Sequence, residues 1–362
     1  MSVKHDGSND CKVSRTTIYD VAKAASVSPS TVSHVLNGTA SISEETTEKV
    51  MAAVKSLKYY PNSTARSLRK KRSKLIGLVM QDMTSEFYSI MCEQMLVRAQ
   101  KEEFQFSIMC GQWDGGQNTK NIESLIEYQA EGIIALGSCV QEADLKKAEN
   151  RGIKVVLCDQ YSPNFPSVEW NNYTTMRKLV HCFVAEGLTR IAYVCTNTRR
   201  QDSTLQRYLG YLQGMRDEGL DPEKLVIPLD IKESKPYQWG RDFTRFQNYM
   251  ESVPRSQRPE AVLCEHDAIA LAITNSLTLA GVRIPEEIQI FGFDDTSHAS
   301  FSIPKLSTIR QDPRKLGDAT FDMLHALIRG EDCARHVRLE QEVVIRSSAH
   351  ILPDYLDREQ FR

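Results

Sequence analysis

The sequence predicts an α/β protein in which a small all-α head precedes a two-lobed body of doubly wound parallel sheets. Three observations carry this. Charge is divided along the chain: residues 1–74 hold 13 Lys and Arg against 6 Asp and Glu, while the remainder holds 32 against 41, so a net charge of -2 conceals a basic head on an acidic body. Capping signals mark three short helices before residue 58. From Leu75 onward apolar runs alternate with helix-length amphipathic segments, as expected of parallel strands joined by helices. At 362 residues and 41% hydrophobic content, the chain has enough apolar surface for two or three cored domains.

Residues 1–15 are polar and aperiodic and read as a disordered leader. Thr17 caps a first helix that runs to about Ala25, with Asp20 at its positive end. After a turn at Ser26-Val27, Ser28 caps a second helix over Pro29 to Asn37. Proline suits the first helical position, where no N–H is needed, and Gly38 stops the helix. A third helix follows Ser43, with Val50, Val54 and Leu57 recurring on one face.

In the body, strands are expected at Leu75-Met80, Phe104-Cys110, Gly132-Gly137, Lys154-Cys158, Arg190-Cys195, Leu225-Leu229, Ala261-Cys264 and Gln289-Phe293. Helices are expected over Phe87 to Lys101, Gln117 to Gln129, Leu205 to Glu218 and Asp267 to Ala280, with Gly115-Gly116 as a loop. Eight such strands fit two open sheets in two lobes; a closed (β/α)8 barrel is the rival.

The turn between the first two helices gives the spacing of a helix-turn-helix, whose second helix enters the major groove of DNA. That helix offers Ser30, Thr31, Ser33 and His34 to base edges or phosphates, and turns Val32, Val35 and Leu36 toward the bundle. An ordinary three-helix bundle would share the pattern. The following stretch, Pro61 to Arg72, is too short to be a stable helix alone and carries Arg66, Arg69, Lys70, Lys71 and Arg72. Phosphates would neutralise these cations, and the isolated Leu68 would wedge into the minor groove; a solvated basic linker is the alternative.

The sequence TIYDVAKAASVSPSTVSHVLNG, the stretch YPNSTARSL, IGLVMQD, RYLGYLQGM, and IFGFDDTSHA followed by PKLSTIRQDP occur in this order from Thr17 to about Ser348. Together they resemble the lactose/galactose repressor (LacI/GalR) family of transcription factors. The resemblance implies a periplasmic-binding-protein-like body and a dimer on a near-palindromic operator. It places groove contacts at Pro29, Ser30 and His34, with Pro29 shaping the helix start more than reading a base, and a minor-groove leucine at Leu68. The DNA-binding set is then Thr17, Tyr19, Ser28, Pro29, Ser30, Thr31, Ser33, His34 and Asn37 in the head, and Asn62, Ala65, Arg66, Leu68 and Arg69 beyond it. The implied division is a leader (1–15), a helix-turn-helix domain (16–60), a hinge (61–74), an effector-binding and dimerisation domain of two lobes (75–350) and a short tail (351–362).

Open α/β sheets bind ligands beyond the carboxyl ends of their strands. Asp82, Asp159, Asp267 and Asp294 stand there, and Phe87 and Tyr88 begin the first body helix; each aspartate could equally be a helix cap. The resemblance adds Arg207 as a ligand clamp and selects Asp294 and Asp267 as its companions. Departures at His266, Asn171, Gly187-Leu188 and Asp82 to Tyr88 leave the effector open among a sugar, a sugar phosphate, a nucleoside and none at all. The tail has no leucine heptad, which favours a dimer over a tetramer built through a C-terminal coil.

Other classes have little behind them. Nine scattered cysteines without C-x-x-C spacing argue for reduced thiols and against a disulfide framework. Cys264-Glu265-His266-Asp267 are consecutive at a strand end and point in different directions, so no metal site is expected. No G-x-S-x-G, Walker A or G-x-G-x-x-G motif suggests an enzyme or a cofactor. A solute-binding protein without a DNA function would share the lobes, but not the basic head, and would carry a secretory signal. The expectation is a cytoplasmic protein that binds no membrane.

Overall fold

The computed structural model describes residues 16–59, 73–81, 83–111, 115–137, 140–196, 203–229 and 244–351, and the chain divides into two compact units between Ser73 and Lys74. The first unit holds α1 (Ile18–Ala24), α2 (Pro29–Asn37) and α3 (Glu44–Ser56). Each begins where a side chain satisfies a free backbone N–H. Thr17 and Asp20 form a capping box, in which the Asp20 carboxylate accepts the Thr17 N–H at 2.7 Å and the Asp20 N–H donates to Thr17 Oγ1. Ser28 Oγ accepts from the Thr31 N–H at 3.1 Å, and Ser43 caps α3. Gly38 ends α2 in the left-handed region, φ 61°, where a Cβ would be strained. Val21, Ala22, Ala25, Val32, Val50 and Ala53 form the core, with Val35 and Leu36 packed at its edge.

The second unit starts with β1 (Leu75–Met80), α4 (Glu86–Lys101), β2 (Gln105–Cys110), α5 (Gly115–Glu127), β3 (Gly132–Leu136), α6 (Glu142–Glu149), β4 (Lys154–Cys158) and β5 (Ser167–Trp170). The chain then crosses into a second lobe, through α7 (Asn172–Ala185), β6 (Ile191–Cys195), α8 (Ser203–Asp217), β7 (Val226–Pro228), α9 (Thr244–Ser252), β8 (Ala261–Cys264), α10 (Asp267–Leu279), β9 (Gln289–Asp294), α11 (Ser297–Phe301) and β10 (Ser307–Arg310). It returns to the first lobe with α12 (Pro313–Arg329) and β11 (His336–Leu339), and crosses once more into β12 (Glu342–Val344).

The first sheet has the order β11-β5-β4-β3-β1-β2, all parallel; the second has β12-β10-β9-β8-β6-β7, with β12 antiparallel to β10. Each sheet buries apolar side chains on both faces: Leu78 and Ile134 on one side of the first and Val79 and Ile133 on the other, Tyr193 and Leu263 against Val194 and Val262 in the second. That explains why the central strands read as unbroken apolar runs. Two separate six-stranded sheets exclude the closed barrel.

One further expectation is corrected. Gly115 and Gly116 do not form a loop; they open α5, whose Asn118, Asn121, Ile122 and Leu125 are buried, so packing overrides the low helix propensity of glycine.

In both sheets the strand order reverses next to the first strand, between β1 and β3 and between β6 and β8. The carboxyl ends at these switch points define where an open α/β sheet takes a ligand.

Candidate functional site

Two surfaces answer to the candidate residues, and each is described within its own unit. On α2, Val32 is fully buried while Ser30, His34 and Asn37 are exposed on one face, spaced by four and three residues. Pro29, Thr31 and Ser33 are half-buried, Ser28 and Thr17 are exposed, and Tyr19 projects from α1 with 71% of its surface free. Ser28 Oγ lies 2.6 Å from Ser30 Oγ and 2.8 Å from Thr31 Oγ1, so the cap organises the first turn of the helix. Asn37 Nδ2 donates to the Ser33 carbonyl at 2.7 Å. His34 Nδ1 is 2.9 Å from Thr39 Oγ1. Asn62, Ala65, Arg66, Leu68 and Arg69 lie outside the described residues, as does Asp82.

In the body, Arg207 projects from α8 with 5% of its surface exposed, and each of its three guanidinium nitrogens donates a hydrogen bond. Nε donates to Asn172 Oδ1 at 3.1 Å, one terminal nitrogen to the Glu265 carbonyl at 2.6 Å, and the other to Gln311 Oε1 at 3.2 Å, with Asp294 Oδ1 at 3.4 Å. Its carbon sits 3.8 Å from the Phe293 ring centroid, a cation–π contact. Burial works against the charge, but Asp294, Asp159, Tyr193 and Glu265 outweigh it and hold the guanidinium more firmly protonated than usual.

The acids stand where the strands end. Asp159 follows β4 in the left-handed region, φ 57°, and its Oδ2 accepts from Ser203 Oγ of the other lobe at 3.0 Å. Asp294 closes β9 with φ 107°, a conformation costly for any residue but glycine. Only 18% of its side chain is exposed. Burial pushes its carboxyl up to about 8, with Arg207 opposing and Asp267, Asp159 and Glu265 reinforcing the shift. Glu265 accepts the Thr196 N–H at 2.5 Å and the Thr196 hydroxyl at 3.0 Å.

Asp267 is placed differently. It is fully buried, and it accepts from Thr308 Oγ1 at 2.6 Å and from the Thr296 N–H at 2.7 Å; burial still raises it to about 6. Gly292 makes room for it, since a Cβ there would stand 2.2 Å from Asp267 Oδ1. Phe87 packs into the first-lobe core, edge-to-face with Tyr88, whose hydroxyl accepts from Gln81 Nε2 at 3.1 Å.

The structure therefore gathers Asp159, Arg207 and Asp294, and sets Asp267, Phe87 and Tyr88 in the surrounding frame. Sequence reasoning missed Asn172, Ser203, Glu265 and Gln311. Gln311 and Asn172 had a signal, for each follows the last residue of a short strand by one or two positions, but β5 and β10 were not themselves expected. Next to Asn172 lies a cavity of about 140 Å³ lined by Glu169, Trp170, Asn171, Tyr173, Thr174, Gln206 and Arg338. Trp170 Nε1 is buried there with no hydrogen-bond partner among the described residues.

A capped helix-turn-helix head ahead of a two-lobed body, with charged and amide side chains converging on the strand ends, is the architecture of a DNA-binding transcriptional regulator. Comparison with known proteins agrees with that class. The model of bacterial regulatory proteins of the lacI family matches residues 17–62, and that of periplasmic binding protein-like domains matches residues 180–349. The chain thus carries a lacI-family DNA-binding domain ahead of a periplasmic-binding-protein-like domain. It is 28% identical over 338 residues to the HTH-type transcriptional regulator RegA of Clostridium saccharobutylicum, covering 92% of this chain and 99% of that protein. It is also 28% identical over 312 residues to the ribose operon repressor of Escherichia coli (strain K12), covering 85% and 92%. The lac repressor dimer bound to operator and the anti-inducer ONPF superposes with a TM-score of 0.75 at 26% identity, over 92% of this chain and 98% of that one.

Proposed function

We propose that this regulator binds a near-palindromic operator as a homodimer and changes its hold on DNA when a small polar effector enters the cleft around Arg207 and Asp294. The observation that carries the DNA half is α2. It is fixed at its start by Ser28 and Pro29 and at its end by Gly38, anchored by the buried Val32, and free on the face that bears Ser30, His34 and Asn37. Thr17, Tyr19, Ser28, Thr31 and Ser33 then supply phosphate and groove contacts beside it. Arg66 and Arg69 bind phosphates from the hinge, Asn62 and Ala65 contact the DNA beside them, and Leu68 is the minor-groove wedge.

The division of labour is a reading head over 16–60, a hinge over 61–74 and a sensing body over 75–350. The hinge runs directly into β1 of the first lobe, so an effector that favours one lobe arrangement biases how the hinge sits on DNA. Asp159, Arg207 and Asp294 are the effector contacts, with Phe87, Tyr88 and Asp267 around them and Asp82 as a further candidate contact. Carboxylates accept hydroxyl protons and the guanidinium donates in a fork, chemistry that fits a sugar, a sugar phosphate or a nucleoside. The cleft binds its ligand without transforming it or using a cofactor, and the protein acts in the cytoplasm, where its operator is. No described helix is long and apolar enough to cross a membrane.

The homodimer takes support from the dimeric lac repressor and from an apolar patch on the second lobe. Phe301 is 79% and Ile303 88% exposed beside an open depression of about 700 Å³ that also includes Pro304. Such a patch suits a second copy of the chain.

Selection of duplexes from a random library by the full chain tests the DNA half: a two-fold symmetric motif is expected, and selection of no motif would refute it. A thermal-shift screen with sugars, sugar phosphates and nucleosides, on wild type and on Arg207→Lys, tests the cleft. A ligand that stabilises both proteins equally would show that the clamp lies elsewhere.

A further inference from the structure

The polar side chains on the exposed face of α2 are held in two ways. Ser30 and Asn37 bond within their own helix or its cap, Ser30 Oγ to Ser28 Oγ at 2.6 Å and Asn37 Nδ2 to the Ser33 carbonyl at 2.7 Å. His34 is held from outside. Gly38 turns the chain left-handed and donates its N–H to the His34 carbonyl; Thr39 follows and donates to the same carbonyl at 3.3 Å. This double closure folds Thr39 back along the helix it has just left and sets its hydroxyl 2.9 Å from His34 Nδ1. No described residue engages Nε2, and the ring is exposed.

We propose that Thr39 is a positioning residue for base recognition: it holds the His34 ring so that Nε2 is presented to one base edge of the operator. The inference rests on the reading of the head as DNA-binding. An exposed imidazole on a helix samples several rotamers, and contact with a base requires one of them. A hydrogen bond that selects this rotamer beforehand removes part of the ordering cost from binding and sharpens the difference between a right and a wrong base.

A threonine hydroxyl both donates and accepts, so it serves either tautomer of the ring. With the proton on Nε2 the ring donates to purine N7, guanine O6 or thymine O4. With the lone pair there it accepts from cytosine N4 or adenine N6. Thr39 thus sets where the ring is, and the proton on the ring sets which base it favours. Gly38 is required for the arrangement, because φ 61° strains any residue with a Cβ and a different turn would carry Thr39 away.

The test uses the full chain and three variants, Thr39→Val, Thr39→Ser and His34→Ala, in duplex selection. It continues with fluorescence anisotropy at fixed salt on the selected duplex, its single-base variants and a scrambled duplex. Thr39→Val keeps the shape and removes the hydroxyl. It should lose the preference at one position of each half-site, the same position that His34→Ala loses, and weaken specific binding about fivefold, the net worth of one hydrogen bond. Affinity for scrambled duplex and thermal unfolding should not change, and Thr39→Ser should restore the preference. If Thr39→Val keeps the full motif while His34→Ala loses one position, the inference is wrong. A loss spread evenly over all positions, with weaker scrambled binding and earlier unfolding, would show that Thr39 merely supports the helix end. If wild type selects no motif at all, the DNA-binding reading falls first and this one with it.

Discussion

Arg207 donates its Nε to Asn172 Oδ1 at 3.1 Å, and the same oxygen accepts from Gln341 Nε2 at 3.1 Å. Asn172 opens α7, just past the first crossing between the lobes. Gln341 lies in the third crossing, between β11 and β12, and Gln311, which also accepts from Arg207, lies in the second, between β10 and α12. Each segment that joins the lobes therefore contributes one amide side chain to the guanidinium or to its immediate partner. A ligand engaging Arg207, as proposed, would compete with the bonds that tie together the crossings between the lobes, and so would link occupancy of the cleft to lobe geometry without a long relay.

The first consequence is that Arg207, proposed as a ligand contact, is also structural. Arg207→Ala leaves Asn172 Oδ1, Gln311 Oε1, the Glu265 carbonyl and the Asp294 carboxyl short of a donor in a closed site. The expected loss is about 3–5 kcal/mol in urea unfolding at neutral pH, since several buried acceptors lose a donor at once and each costs about 1–3 kcal/mol. Arg207→Lys keeps the charge without the fork and should recover part of it. A loss below about 1 kcal/mol for Arg207→Ala, the size typical of an ordinary substitution, would mean that these bonds do not hold the lobes.

Asp294 should make stability depend on pH in a direction opposite to that of most carboxylates. Its folded value, about 8, lies above the ordinary carboxylate range, so the folded chain holds this proton more tightly than the unfolded chain does. The stabilisation is complete below the unfolded value and is lost as pH rises through about 8. Asp294→Asn has no proton to lose and keeps an acceptor for Arg207. Its melting temperature should exceed that of wild type by a margin that widens from pH 5 to pH 8, measured by calorimetry. A margin independent of pH, or one that shrinks, would contradict the assignment.

Ile303→Asp should convert the dimer to monomer in sedimentation velocity. An 88% exposed isoleucine contributes little to its own lobe, so unfolding of the monomer should hardly change. A variant that remains dimeric would move the interface to another surface.

Ser28→Ala should destabilise the head by about 1 kcal/mol, the usual worth of an N-cap. Amide exchange should quicken over Pro29–Asn37 and remain unchanged in the strands of the body. Equal protection in the variant would show that the Ser28 bond to the Thr31 N–H is not what starts the helix.

The head is legible in the sequence because its determinants are local: Thr17, Ser28, Pro29, Gly38 and Ser43 act within one turn of where they stand. The central strands are equally plain, since burial on both faces leaves runs such as Leu75–Met80 and Gly132–Leu136 without polar interruptions. Short strands at or near the sheet margins escape this criterion. Ser167–Trp170 and His336–Leu339 mix polar and apolar residues over four positions and exist because the crossings bring them together, with Ser167 opposite His336 and Trp170 opposite Leu339. The cleft follows the same division. Asp159, Arg207 and Asp294 stood out at strand ends or through the family resemblance, whereas Asn172 and Gln311 acquire their positions only from the crossings.

The central claim is that the head reads DNA and the body governs that reading. It is tested most directly by fluorescence anisotropy of an operator duplex selected by the full chain, titrated at several salt concentrations with that chain and with residues 74–362 alone. The account predicts tight, salt-dependent binding by the full chain, much weaker binding to a scrambled duplex, and none by the acidic body. Equal binding of the operator by the body alone, or equal affinity of the full chain for operator and scrambled duplex, would contradict it.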